Sequence, residues 1–182
     1  MPIVFVQRPS ADSLERMGAV RRFLKIWTPA VLGMGIIATE STPTFSSANT
    51  SSWLRPIVEH FFGHISTPAW EDMHHLFRKS GHFSFYGLLC VLFVRGWLLT
   101  FARDTSLGST AWRWRSWIAG VVSTFLVASA DEFHQSFLPS RTGLFSDVVL
   151  DTCGGIVLSS LVMTAGWWLR RARERTARVA LA

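Results

Sequence analysis

The chain reads as an all-α integral membrane bundle of four transmembrane helices, with a short interfacial helix between spans one and two. Three observations lead there. Apolar residues make up 49% of the 182 positions and charged ones only 16%. The apolar residues are bunched into four runs that approach the roughly 20 residues a helix needs to cross the hydrocarbon core. Tryptophans and basic residues gather at the ends of those runs, where aromatic belts and topology-setting charges belong. The net charge of +6 therefore points to membrane topology, and no nucleic-acid partner is expected, because the basic residues form no stripe interleaved with exposed aromatics.

Residues 1–22 form a basic arm, expected in the cytoplasm, and the membrane domain covers 23–169. The first span, about 23–40, contains Pro29, Gly33 and Gly35, which membrane helices tolerate better than soluble ones. A cleaved signal peptide is the alternative. The long basic region ahead of the run, and the lack of a small-x-small cleavage site before Glu40, favour a retained anchor.

The Ser, Thr and Asn cluster from Ser41 to Ser52 reads as an exposed loop, too polar to bury itself. Beyond it, Leu54, Ile57, Val58, Phe61, Phe62 and Ile65 recur at helical spacing on one face, with Pro56 expected in the first turn. This is the interfacial helix.

Span two, about 76–100, carries Lys79, His82 and Tyr86 at i, i+3 and i+7, hence on one face. Span three, about 112–135, presents Thr124, Ala128, Asp131 and Gln135 as a small and polar face suited to helix packing. Pro139, Ser140 and Gly143 turn the chain into span four, about 147–169, with Ser146 as the expected cap. Asp147 and Asp151 stand at i and i+4, and Gly155 and Ser159 form a small-xxx-small pair. A basic tail, 170–182, follows. Cys90 and Cys153 fall within spans without metal or redox spacing and read as packing residues.

The two termini and the middle loop hold thirteen of the eighteen Lys and Arg, so both termini are expected in the cytoplasm of a bacterial inner membrane. That topology gathers Lys79, His82, Tyr86, Asp131, Glu132, His134, Gln135, Arg141, Asp147 and Asp151 at the outer leaflet. Ionisable groups at membrane depth are costly and point by default to a functional site.

The strings Arg78-Lys79-Ser80-Gly81-His82-Phe83-Ser84-Phe85-Tyr86 and Asp131-Glu132-Phe133-His134-Gln135-Ser136-Phe137-Leu138-Pro139-Ser140-Arg141, with Asp147, Asp151 and Gly154 downstream, resemble the signature of the VanZ-like family of multi-pass membrane proteins. The resemblance covers about residues 70–165. It implies a small bacterial cell-envelope protein, the founding member of the family being associated with teicoplanin resistance. Asp151 stands where members commonly have Asn, and Phe85 where many have Glu.

Two function classes stay open. In the first, the polar cluster binds an anionic envelope lipid, cell-wall precursor or glycopeptide-type ligand, with Lys79 and Arg141 as the anion clamp. In the second it catalyses acid/base chemistry on such a headgroup, with His82, Asp131, His134 and Asp147 as the candidate catalytic residues. A purely structural network and a proton relay are the remaining readings. His82, Asp131, His134 and Asp147 also offer metal-ligand atoms, but Lys79 and Arg141 oppose a cation, and no metal or cofactor is expected. The expected partners are the bilayer and a lipid-linked or cell-wall ligand, and nothing specifies an oligomer.

Overall fold

The computed structural model describes residues 4–10, 16, 18–139 and 141–180. Within them the chain is all-α: α1 (Ala19–Glu40), a 3-10 turn (Pro43–Phe45), α2 (Ser47–Phe62), α3 (Thr67–Phe101), α4 (Ser109–Gln135) and α5 (Phe145–Ala180), with no strand among the described residues. Each expected span lies inside a helix. By length and apolar composition, two helices qualify to cross a membrane, Thr67–Phe101 and Phe145–Val179. In α1 and α4 the flanking charges leave the uncharged stretches 26–39 and 116–130, shorter than a full span.

The helices alternate in direction around α3. Tyr86, Val94 and Leu98 of α3 meet Asp131, Gly120 and Trp112 of α4, so those two run antiparallel. Lys79 and His82 meet Asp147 and Asp151 of α5, which runs parallel to α3. On the other side Gly33 faces Leu89 and Trp27 faces Gly96, making α1 antiparallel to α3. Small residues allow the approach: a Cβ on Gly120 would come within 2.4 Å of Val94 Cγ2, and one on Gly154 within 2.1 Å of the Phe83 carbonyl oxygen. Large apolar side chains such as Leu88, Val122, Leu126 and Leu161 face outward, as a lipid-facing surface requires.

The Ser41–Ser52 segment departs from the exposed loop its composition suggests. Its polar side chains cap and staple local helix: Ser46 accepts from the Asn49 N–H at 3.4 Å, and Asn49 donates to the Pro43 carbonyl at 3.0 Å. Consequently α2 begins earlier than its apolar stripe, and Pro56 lies in its interior, where it leaves the Ser52 carbonyl without a helical donor. The start of α3 is tied to α2 by Trp70 Nε1, which donates to Ser51 Oγ at 2.6 Å, and by Thr50 Oγ1, 3.1 Å from His74 Nε2. Ser146 is likewise inside α5, which starts at Phe145. Cys90 is fully buried, whereas Cys153 faces outward.

The described part of the basic arm packs against the far end of the bundle. Val4 and Val6 are buried, and Arg8 donates to the carbonyls of Phe101, Ala102, Asp104 and Leu107, closing the end of α3 and the loop after it. Arg113 holds the arm in return through the Phe5 and Val6 carbonyls at 2.9 and 3.2 Å.

Candidate functional site

The polar residues converge where the start of α3, the end of α4 and the start of α5 meet. The 3.6-residue period puts Lys79, His82 and Tyr86 on the α3 face that α4 and α5 cover. Lys79 forms an ion pair with Asp147. One turn deeper, His82 Nδ1 lies 3.5 Å from Asp151 Oδ2. A further turn in, Tyr86 donates its hydroxyl to Asp131 Oδ2 at 2.9 Å, and Gln135 Nε2 donates to the same oxygen at 2.9 Å.

Glu132 is the buried acid of α4, 5% exposed, and falls in line with Ser116, Gly120, Thr124 and Ala128 at four-residue steps. Its Oε2 accepts from the Leu144 N–H at 2.9 Å, and Gly143 sits so close that a Cβ there would lie 2.2 Å from the Glu132 carbonyl oxygen. Among the described residues its Oε1 has no hydrogen-bond partner, nor does Oδ1 of the fully buried Asp151.

Two residues do not take the places expected of them. His134 is exposed on the outer side of α4, away from the cluster, because it stands two residues past the buried Glu132 and so about 200° around the helix. Arg141, expected as half of an anion clamp, borders both cavities beside His82, but its guanidinium is also turned to backbone. Its Nη2 donates to the carbonyls of Glu40 at 2.6 Å, Phe45 at 2.8 Å and Thr42 at 3.2 Å, sealing the end of α1. With Lys79 engaged by Asp147, both halves of that clamp have partners within the protein.

Arg78 is the cation the sequence reading passed over. It is partly buried, makes no hydrogen bond or ion pair among the described residues, and lines three cavities, two of which meet at His82. One, of about 280 Å³, lies between α2 and α3 and is walled by Trp53, Phe77 and Phe85. The other, of about 390 Å³, is bordered by Lys79, Asp147 and Gln135. His75 stands one turn before Arg78 on the same side, a spacing of 75, 78 and 82 that the sequence displays. Glu40, at the end of α1, also reaches the first cavity and senses the charges of His82, Asp131 and Arg141. A larger groove of about 470 Å³ at the opposite end, between Trp114, Trp117 and Trp167, is mainly apolar and holds no comparable cluster.

The arrangement offers the guanidinium of Arg78, which makes no hydrogen bond or ion pair among the described residues, an imidazole against a carboxylate, and an aromatic wall. Together these can hold an amphiphilic anion or move a proton. The family model described as VanZ/LLP1 matches residues 26–166 and so includes every residue of the cluster. No curated protein and no solved structure matches the chain significantly. The family and the two long apolar helices point to a membrane protein. The match extends over well more than half of the chain, and the protein belongs to the VanZ/LLP1 family.

Proposed function

We propose that this is a cell-envelope protein of the bacterial cytoplasmic membrane, with four spans and both termini cytoplasmic, whose outer end binds the anionic headgroup of an envelope lipid, cell-wall precursor or glycopeptide-type ligand. Arg78 carries the reading. A guanidinium that makes no hydrogen bond or ion pair among the described residues, set between an aromatic wall and a polar cavity, suits a phosphate or carboxylate whose apolar tail lies along Trp53 and Phe85. Resistance of the teicoplanin type would follow where the bound molecule is the drug or the precursor it recognises.

The test is retention of anionic against zwitterionic lipids by the purified chain, read by native mass spectrometry. Wild type is expected to retain phosphatidylglycerol or a polyprenyl phosphate, and Arg78→Gln to bind it about tenfold or more weakly, the loss of one charge-assisted hydrogen bond pair. Equal retention by the two would refute the reading.

A second reading, an enzyme working on such a headgroup, is favoured by one observation, the imidazole of His82 beside Asp151. In cells lacking the protein, an envelope species restored by wild type but not by His82→Gln would support chemistry over binding.

A further inference from the structure

The cluster contains a set of groups that anion binding does not use. One ligand atom each from His82, Glu132 and Asp151 lies within 4.8 Å of the others. Of the residues the sequence suggested for a metal, only His82 is in this set. Asp131 is occupied by Tyr86 and Gln135, Asp147 by Lys79, and His134 faces away.

Buried carboxylate oxygens are normally satisfied, because an unpaired one costs its full desolvation. Among the described residues Glu132 Oε1 and Asp151 Oδ1 have no hydrogen-bond partner, although both residues are at least nine-tenths buried. Glu132 has its other oxygen engaged by the Leu144 N–H, which fixes its carboxyl plane, and Asp151 Oδ2 lies 3.5 Å from its fellow ligand His82. Support of this kind orients metal ligands.

Around these three stand the carboxylates of Glu40, Asp131 and Asp147 and the cations Arg78, Lys79 and Arg141. We propose that His82, Glu132 and Asp151 bind one divalent transition-metal ion of the zinc or manganese class.

An imidazole with two carboxylates suits these ions, whereas magnesium and calcium take oxygen donors. Ligand atoms at about 2.1 Å from a tetrahedral ion stand about 3.4 Å apart, so the three side chains reach it by adjustments of roughly an ångström. The site stands on its own ligands and does not depend on the headgroup reading.

The experiment uses the full, tag-free chain in zwitterionic nanodiscs, stripped with a chelator and dialysed against Zn²⁺ or Mn²⁺ alone. Wild type is expected to hold one ion per chain by elemental mass spectrometry, with Mg²⁺ in excess failing to displace it. Asp151→Asn and Glu132→Gln are expected to bind at least about tenfold more weakly, and His60→Ala, an exposed histidine away from the site, to bind as wild type does. Wild type holding no more metal than empty nanodiscs would overturn the site, as would ligand variants that keep its affinity. If a ligand variant fails to fold, pulsed EPR on Mn²⁺-loaded wild type decides: coupling to one imidazole nitrogen is expected, and its absence refutes the assignment. Because no anionic lipid is present, failure here leaves the Arg78 result untouched, and the reverse holds as well.

Discussion

Arg141, in the turn that leads into α5, donates to the carbonyl of Glu40, the last residue of α1, at 2.6 Å. A helix end leaves its final carbonyls without donors, and a planar guanidinium meets several at once. The carbonyls of Thr42 and Phe45 complete the set. The same loop is held from α4 by Gln135, whose Nε2 lies 3.4 Å from Ser41 Oγ.

Arg141→Lys keeps the charge and loses the fork. It is expected to cost about 1.5–3 kcal/mol, the range for hydrogen bonds made by a charged donor. Unfolding in mixed micelles measures the loss, and proteolysis within 41–46 should rise in parallel. A ligand-binding role for the guanidinium, by contrast, would show as lost retention of anionic lipid at unchanged stability.

Tyr86 and Gln135 hold one oxygen of Asp131 between them. Because Gln135 remains when the phenol is removed, Tyr86→Phe is expected to cost only about 0.5–1.5 kcal/mol. A double-mutant cycle with Asp131→Asn isolates the pair, and a coupling energy near zero would show that the hydroxyl finds another partner.

Much of this was legible because helical spacing is a strong constraint. Lys79, His82 and Tyr86 share a face, Asp147 and Asp151 share another, and the two faces meet as their spacing implies. The choice of buried acid on α4 was not legible. Asp131 and Glu132 both continue the line through Thr124 and Ala128 within one helical step, and the seat of the Gly143 turn on the Glu132 backbone decides between them. Arg78 and Lys79 are separated by only 100° of helix rotation, so which of them Asp147 would take, and which would stay free, depended on the placement of α5. The destination of Arg141 was hidden because its acceptors are backbone carbonyls about a hundred positions away, which no side-chain pattern records.

Glu59, outside the spans, gives a pH prediction. Its carboxylate accepts from Arg55 Nε at 3.1 Å and from the Ile65 N–H at 3.2 Å, and these bonds, the Arg55 one foremost, hold it below its ordinary value of 4.5. A carboxyl depressed in the folded state stabilises that state fully above its unfolded value and ceases to as pH falls through its folded one. Protection of the Ile65 amide from hydrogen exchange, corrected for the intrinsic rate, is therefore expected to decline as pH drops below about 4.5. Glu59→Gln should remove that dependence, and a profile unchanged by the substitution would place its cause elsewhere.

The contact that brings α3 and α5 together at the site is Gly154 on the backbone of Phe83. A methyl at that position would lie 2.1 Å from the Phe83 carbonyl oxygen and 2.9 Å from its carbon, and backbone cannot rotate away as a side chain can. Gly154→Ala is therefore expected to push the helices apart at a cost of about 1–3 kcal/mol, the range for overpacking. Because His82 is the residue before Phe83 and Asp151 lies one turn before Gly154, the same displacement widens their 3.5 Å separation. Gly81, one residue before His82, has nothing within 4 Å of its would-be Cβ, and Gly81→Ala is expected to be neutral or to gain up to about 1 kcal/mol from helix propensity. Unfolding titrations of the two variants, with Zn²⁺ or Mn²⁺ uptake measured on each, separate the effects. Loss of both stability and metal in Gly154→Ala alone identifies close approach of α3 and α5 as what assembles the site, and equal stability of the two variants would show that the approach is not needed.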